Sequence, residues 1–180
     1  LQAAISAAQA GDTVTLLKNV DLGPISGTTY SIQIEKPITL DGKGNTLTST
    51  AGRAINIKCQ PAGTVKIKDL SVKADTTYDI DGARGINIIT YPSNVVLDNV
   101  NVEACFAVFF ASTASGHKLE IKNSTITGTY DAIQIYSSGA NETKVVLNNT
   151  VVNGWSCIAI RGAKVTVNVN GSTLNAHNPW

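Results

Sequence analysis

The chain has 180 residues, of which 43% are hydrophobic and 15% charged, and this size suits a single domain with a substantial core. Its 14 basic and 13 acidic residues are interspersed, so no field is expected that would attract nucleic acid or an anionic membrane surface. No apolar stretch is long enough to insert in a bilayer.

The chain opens with an amphipathic segment that predicts a short helix. Leu1, Ile5 and Ala8 have helical spacing in an Ala-rich stretch that ends in a glycine. We therefore expect a capping helix over 1–11, followed by coils of β structure over 12–180. Such a helix would cover the open backbone edge and the apolar cross-section of the first coil.

Six later segments share one pattern, which is apolar, any residue, apolar, polar, polar or Gly, and finally an aliphatic residue. Their starts are separated by 27, 30, 24, 26 and 22 residues, which is the spacing of a supersecondary repeat with insertions in its turns. The segments are 38–47, 65–72, 95–102, 119–126, 145–152 and 167–174.

Charge at the fourth position of these segments predicts a parallel register. The residues there are Asp41, Lys68, Asp98, Lys122, Asn148 and Asn170. If neighbouring segments lie side by side, the signs alternate up the stack, and each opposite pair stabilises it by a few tenths to about 1 kcal/mol. Lys73 and Glu103 repeat the pairing one place beyond the closing aliphatic residue.

The fifth position predicts a sharp bend. It holds Asp69, Asn99, Asn123 and Asn149 in four segments and Gly42 and Gly171 in the others. These residue types share a tolerance of the left-handed backbone conformation, so a turn between two strands explains the whole column.

A second set of short apolar strands lies between the repeats, at 32–34, 55–57, 86–88, 108–110, 133–135 and 158–160. With a third, weaker strand near the end of each repeat segment, every coil has three strands, which is typical of a parallel β-helix. A helical solenoid would need period 3.6 in every repeat, and the lone Gly-Asn step at Gly44 is poor support for an antiparallel sandwich.

Residues 1–16, LQAAISAAQAGDTVTL, resemble the helix-plus-first-strand cap of the right-handed parallel β-helix superfamily that includes pectate lyases. With the repeats, the resemblance covers nearly the whole chain and is closest to the pectate-lyase-like modules of bacterial adhesins. It implies an all-β, right-handed parallel β-helix over 1–180 and an extracellular or cell-surface bacterial setting. Since the chain begins with neither Met nor a signal peptide, we expect a domain excised from a longer protein.

The catalytic motifs of that superfamily do not carry over, so no catalytic residue is assigned. Pectin hydrolases of this fold have Asn-x-Asp, Asp-Asp, Gly-His-Gly and Arg-x-Lys, whereas this chain has Gly116-His117-Lys118, Arg161-Gly-Ala-Lys164 and no adjacent acids. A glycosidase needs two carboxyl groups about 5 to 9.5 Å apart. His117 and His177 stand in turn or terminal contexts, which predicts solvated surface histidines.

The longest insertion, 73–85, contains Asp75, Asp79 and Asp81. Clustered carboxylates on a loop suit a hard cation, so Ca²⁺ is one interpretation. Asp and Gly are also ordinary turn residues, and a solvated loop without a metal or cofactor is the interpretation we favour.

The last two full coils gather aromatic, amide and charged side chains in neighbouring columns, which are Tyr130, Asp131, Gln134, Tyr136, Trp155 and Arg161. Aromatic faces with amide and guanidinium donors are what a sugar chain would use for stacking and hydrogen bonds, so these six are the candidate ligand-binding residues. The alternative is that the aromatic residues cover the core where strands leave it, with Arg161 in a surface ion pair.

The sequence thus predicts a non-catalytic adhesion or carbohydrate-binding module whose partner is a polysaccharide or cell-surface glycan. A polysaccharide lyase acting on a uronate polymer such as pectate, with Arg161 or Lys164 as base or carboxylate clamp, is an alternative, as is a purely structural spacer. No plug is visible at the C-terminal end, so the protein continues there, Trp180 folds back, or two copies associate end to end. We expect Cys59, Cys105 and Cys157 to be small apolar residues of the interior.

Overall fold

The computed structural model describes residues 1–23, 30–50, 52–77, 83–90, 93–112, 117–138 and 142–177. Within these ranges the chain is an all-β parallel solenoid of about six turns, with one short helix at the N-terminus, α1 (Gln2–Ala7). The fold predicted from the repeats is confirmed. No helix in the described ranges has the length and apolar character needed to cross a membrane.

The strands are short and follow one another around each coil. In chain order they are β1 (Thr13–Thr15), β2 (Val20–Asp21), β3 (Tyr30–Ile34), β4 (Thr39–Asp41), β5 (Thr46–Thr48), β6 (Arg53–Ile57), β7 (Gly63–Lys73), β8 (Arg84–Thr90), β9 (Ser93–Ala104), β10 (Phe106–Ser112), β11 (Lys118–Lys122), β12 (Thr125–Gly128), β13 (Asp131–Ser137), β14 (Thr143–Asn148), β15 (Val151–Gly154), β16 (Ser156–Gly162), β17 (Val165–Asn170) and β18 (Thr173–Ala176).

The strands form two sheets. The six-stranded one, which we call the face sheet, has the order β3-β6-β8-β10-β13-β16, and the 12-stranded one, the bent sheet, contains β1-β4-β7-β9-β11-β14-β17 with the third strand of each coil beside them. In two coils the strand of the repeat segment and the predicted third strand join into one long strand, β7 or β9. Every pairing between the described strands is parallel, since successive coils run in the same direction.

The predicted register of the bent sheet is confirmed by its pairing. Asp41 is opposite Lys68, Lys68 is opposite Asp98, and Asp98 is opposite Lys122. Lys68 Nζ lies 2.7 Å from Asp41 Oδ2, and Lys122 Nζ lies 3.4 Å from Asp98 Oδ2. The second cation on Asp98 is Lys66, at 3.0 Å, which shares a side of its strand with Lys68 because alternate residues do.

The core consists of stacked aliphatic columns on the inner sides of both sheets. Ile55, Ile86, Val108 and Ile133 follow one another in register on the face sheet, and all are fully buried. Phe110 belongs to the next column and is the largest of the fully buried side chains. Stacking like residues on like residues lets each coil reuse the same packing.

The bends have the predicted left-handed backbone. The φ angles of Asp69, Asn99, Asn123 and Asn149 lie between 49° and 54°, and Asn99 Nδ2 donates to Asp69 Oδ1 at 2.7 Å. In the second coil the prediction for Gly42 is wrong, because the left-handed residues there are Lys43 and Gly44. Gly42 is required for a different reason, since a Cβ atom on it would collide with the backbone at Asp69 and Leu70.

The N-terminal helix covers the first coil, but it ends at Ala7, short of the predicted boundary, because Ala8 is already extended with ψ 146°. Lys36 Nζ donates to Ser6 O and Ala8 O at the end of the helix. The side-chain amide of Gln2 accepts from Gln33 N at 2.8 Å and donates to Gln33 O at 3.2 Å. It thereby supplies the hydrogen bonds that a preceding strand would make to the face sheet.

The C-terminal coil shows its apolar side to solvent. Ile160, Val169 and Leu174 are exposed, whereas their register partners one coil earlier, including Ile135 and Leu147, are buried. Residues 178–180, with Trp180, lie outside the described residues. End-to-end association through this coil stays a prediction.

Two expectations about single residues have opposite outcomes. Cys59, Cys105 and Cys157 are buried, as expected. His177 is exposed, as expected, but His117 is only 1% exposed, so the prediction of a solvated histidine there is wrong. His117 is two residues before Leu119 of β11, and the alternation of that strand places both on the inner side.

Candidate functional site

The candidate site lies on the outer side of the face sheet, where one column of residues runs along the whole solenoid. The column is Gln33, Asn56, Asn87, Phe109, Gln134 and Ala159, each in register with the next. Asn56 and Asn87 are nevertheless 0% exposed, and Phe109 and Gln134 are also buried. Because neighbouring strands are about 4.8 Å apart, successive side chains of this column contact each other. Together with the side chains of the flanking columns, they shield one another from water.

The N-terminal half of this column is a closed hydrogen-bond network, which we call the amide ladder. Asn56 Nδ2 donates to Gln33 Oε1 at 3.3 Å, and Asn87 Nδ2 donates to Asn56 Oδ1 at 2.5 Å. Arg84 Nη1 donates to Asn87 Oδ1 at 2.6 Å. Because these buried amides bond one another, this half of the face is rigid and has little polar capacity left for a ligand.

Toward the C-terminal end of the face sheet, aromatic rings and guanidinium groups contact one another on the outer side. Arg84 Cζ lies 3.7 Å from the centroid of the Phe109 ring. The ring centroids of Phe109 and Tyr136 are 5.3 Å apart. Arg161, one coil after Tyr136, has its Cζ atom 5.6 Å from the centroid of the Tyr136 ring. These contacts form a continuous stack of Arg84, Phe109, Tyr136 and Arg161 along the solenoid axis.

This stack borders an open cavity of about 270 Å³, which we call the groove cavity. Phe109, Tyr136 and Arg161 line it together with Ala111, Ser112, Ser137 and Ser138. Two aromatic residues, one guanidinium and the exposed Ser138 therefore border a single space, whereas Ser112 and Ser137 are buried. Aromatic residues with a few polar groups are the composition of a small-ligand site.

A second aromatic cluster, the corner cluster, stands where the coils enter the face sheet. The ring centroids of Phe106 and Tyr130 are 5.6 Å apart, and those of Tyr130 and Trp155 are 4.3 Å apart. Ala83 and Cys105 pack against its buried side, whereas Trp155 is 37% exposed. The corner cluster thus buries a small apolar group on one side and offers one indole to solvent on the other.

A carboxylate and an amide lie between the two aromatic groups on strand β13. Gln134 Nε2 donates to Asp131 Oδ2 at 2.8 Å, and Asp131 is 3% exposed. Burial raises the pKa of the Asp131 carboxyl, although the hydrogen bonds from Gln134 and Ser156 and the charge of Arg161 act in the opposite direction.

The structure brings the six predicted residues together as three pairs. Tyr130 contacts Trp155, and Tyr136 contacts Arg161, across neighbouring coils, whereas Asp131 bonds Gln134 within β13. Sequence reasoning did not include Phe109 and Arg84, although both continue the stack. The pairing register indicates that both lie near the predicted residues, because Phe109 is opposite Gln134 and Arg84 is opposite Phe106.

No family model, curated protein or solved structure matches the chain. The evidence for the solenoid fold is the register in which its own strands pair. The resemblance to pectate-lyase-like adhesive modules stays a prediction.

The calcium interpretation of the long insertion stays untested. Asp79 and Asp81 lie outside the described residues, and Asp75 Oδ1 accepts from Thr77 N at 2.8 Å, as in an ordinary turn. In the described part of the chain, no three His, Cys, Asp or Glu residues are grouped closely enough to hold a metal ion.

A further cavity, also about 270 Å³, follows the bends of the bent sheet. Asp69, Asn99 and Asn123 line it, and these residues already serve the left-handed turns and form side-chain hydrogen bonds with neighbouring coils. The bends account for its composition without a ligand.

The Asp131→Asn variant is expected to be more stable than the wild type at neutral pH. Because burial raises the pKa of Asp131 in the folded protein, the native state holds this proton more tightly than the unfolded chain does. That stabilisation is complete below the ordinary carboxyl pKa and is lost as pH rises through the folded value. Asn keeps an acceptor for Gln134 without the buried charge.

The measurement is urea unfolding of both proteins across a pH series. The stability advantage of Asp131→Asn should grow from acidic to neutral pH. An advantage that does not change with pH would show that the carboxyl has its ordinary pKa.

Proposed function

We propose that the protein is a non-catalytic adhesion or carbohydrate-binding module of a bacterial surface or secreted protein, and that the groove cavity binds a glycan. The observation that carries this proposal is the stack of Phe109, Tyr136 and Arg161, which borders the groove cavity beside the exposed Ser138. Apolar sugar faces pack on aromatic rings, while hydroxyl and guanidinium groups match the polar rim of a sugar.

The arrangement favours a chain-like ligand over a compact one. Rings and polar groups repeat from coil to coil at about 4.8 Å, so successive parts of an extended polymer would meet similar surroundings. The amide ladder and the buried core hold these groups in place, and a site that is already ordered loses little entropy on binding.

Binding without catalysis is supported by the acid and base groups at the site. Among the described residues that form these contacts, the one carboxyl group is Asp131, which is 3% exposed, whereas glycoside hydrolysis uses two carboxyl groups on either side of the bond. A guanidinium has hydrogen-bond donors and no acceptor, so Arg161 suits a clamp better than a base.

Glycan-array binding with two variants tests the proposal. Tyr136→Ala removes a ring of the groove cavity, and Trp155→Ala removes the exposed indole of the corner cluster. We expect Tyr136→Ala to weaken binding about tenfold, which corresponds to roughly 1.4 kcal/mol. Leu17→Ala, which truncates a fully solvated apolar side chain elsewhere, is the control and should bind like the wild type.

The alternatives predict different results in the same experiment. A structural spacer would give no glycan signal for any variant. A polysaccharide lyase would release an unsaturated product from uronate polymers, which ultraviolet absorbance detects with and without added Ca²⁺. Product above the blank would overturn the non-catalytic proposal.

A further inference from the structure

The last strands of the bent sheet have no neighbour on one side among the described residues. β17 pairs with β14, and β18 pairs with β15, each through a single edge. Val169 and Leu174 on these strands are both 43% exposed, although their register partners one coil earlier are fully buried. An open strand edge beside an apolar strip is a template for pairing with a further strand.

The backbone of β17 presents a defined set of hydrogen-bonding groups at this edge. Asn170 O accepts from Asn149 N at 2.9 Å, so Asn170 and every second residue before it direct their backbone groups toward β14. The N–H and C=O groups of Val167 and Val169, which alternate with them, therefore point toward the open edge. A strand that pairs there takes its main-chain hydrogen bonds from these two valines.

Two columns of asparagine side chains give this edge a polarity. Asn170 Nδ2 donates to Asn148 Oδ1 at 2.9 Å, and Asn175 Nδ2 donates to Asn153 Oδ1 at 2.8 Å. In both columns the earlier asparagine donates in turn to the coil before it. Each amide thus donates toward the N-terminal end of the solenoid and accepts from the coil that follows. The Oδ1 atoms of Asn170 and Asn175 are consequently the acceptors that a next strand meets.

The charge of the last coil is one-sided. Between Ser156 and His177, all of which the structure describes, the sequence contains Arg161 and Lys164 and no Asp or Glu. A second copy joined through the same end would bring these cations and the asparagine acceptors against their own equivalents, because an isologous interface joins the same patch on both subunits. A neutral or acidic strand with side-chain donors meets neither conflict.

We propose that the open edge of β17 and β18 binds an extended strand of a partner polypeptide, which runs parallel to β17 and extends the bent sheet. The partner strand has aliphatic residues over Val169 and Leu174, side-chain donors such as Asn or Gln opposite Asn170 and Asn175, and no excess of positive charge. Main-chain hydrogen bonds supply affinity in this mode of recognition, and alternate side chains supply specificity.

A single strand is long enough for both halves of the edge. In an earlier coil, β9 (Ser93–Ala104) runs without interruption through the positions that β17 and β18 occupy here. The edge belongs to the bent sheet, whereas the groove cavity lies on the face sheet, so the inference does not depend on glycan binding.

The probe is a peptide with the sequence of residues 165–176, VTVNVNGSTLNA, because like residues stack on like residues in this solenoid. With saturating peptide, we expect amide hydrogen exchange at Val167 and Val169 to slow at least about tenfold. The amides of Val145 and Leu147, which already bond to β17, are internal controls and should not change. Unchanged exchange at Val167 and Val169 with the peptide at about 1 mM would overturn the proposal.

A second peptide tests the side-chain donors. It carries Asn170→Asp and Asn175→Asp, which keep the shape but replace each donor by a carboxylate that only accepts. Fluorescence anisotropy should show about tenfold weaker binding of this peptide to the wild-type protein. Equal affinity of the two peptides would overturn the assigned partner chemistry, and this comparison needs no change in the protein.

A variant of the edge tests its location. Val169→Lys places a charge on the apolar strip and should weaken binding of the first peptide at least about tenfold, as charged residues do at natural sheet edges. Leu17→Lys, at a 94% exposed position in the first coil, is the matched control and should bind the peptide like the wild type. Equal binding by Val169→Lys would overturn the proposed location.

Sedimentation equilibrium of the wild type without peptide distinguishes the partner strand from a second copy. We expect a monomer. A dimer that Val169→Lys dissociates would overturn the proposal in favour of end-to-end association of two copies.

Discussion

Replacing Phe110 with Ala is expected to lower the free energy of unfolding by about 3–5 kcal/mol. Phe110 is fully buried and fills the interior between its register partners Ile88 and Ile135. The columns above and below cannot collapse into the space, because the parallel hydrogen bonds of the face sheet hold the coils at their spacing. The substitution therefore leaves a cavity as well as losing apolar burial.

Chemical denaturation of the wild type and Phe110→Ala measures this loss. Leu17→Ala, at a position that is 94% exposed, is the control and should change stability by less than about 0.5 kcal/mol. A loss below about 1 kcal/mol for Phe110→Ala would show that the interior repacks around the missing ring.

Removal of Asn87 from the amide ladder is expected to cost about 2–4 kcal/mol, because Asn87→Ala breaks one buried and one partly buried hydrogen bond at once. Asn87 donates to Asn56 Oδ1 and accepts from Arg84 Nη1, and both Asn87 and Asn56 are fully buried. Water cannot replace the lost donor easily there, so the Asn56 carbonyl bears the cost of its desolvation.

A matched variant separates burial from the hydrogen bond itself. Asn170 Nδ2 donates to Asn148 Oδ1 at 2.9 Å in an equivalent ladder on the bent sheet, but this bond is exposed to solvent. Asn170→Ala should therefore cost less than about 0.5 kcal/mol in the same denaturation experiment. Equal losses at the two positions would contradict the role assigned to burial.

The register of the solenoid could be predicted because it depends on a pattern that each coil repeats. Alternating apolar residues identify the inner side of every strand, and the succession of Asp41, Lys68 and Asp98 distinguishes one alignment from its neighbours. The same alternation, applied to β11, would have placed His117 inside. That error came from treating His117 as part of a turn.

The candidate site could be predicted only in part. Tyr136 and Arg161 were grouped because they occupy one column of adjacent coils, and they do contact each other. The contact of Arg84 with Phe109 was missed, because a long side chain reaches across coils and its direction is not written in the column.

The amino-acid sequence by itself determined the strand periodicity, the parallel alignment of the coils and the left-handed bends, because each depends on local backbone preference or on pairs that repeat along the chain. Only the tertiary structure decided that the outward amides Asn56 and Asn87 are buried and that Gln134 donates a hydrogen bond to Asp131. Alternation tells which side of a strand a residue occupies. Whether water reaches that residue depends on which side chains of the neighbouring coils cover it.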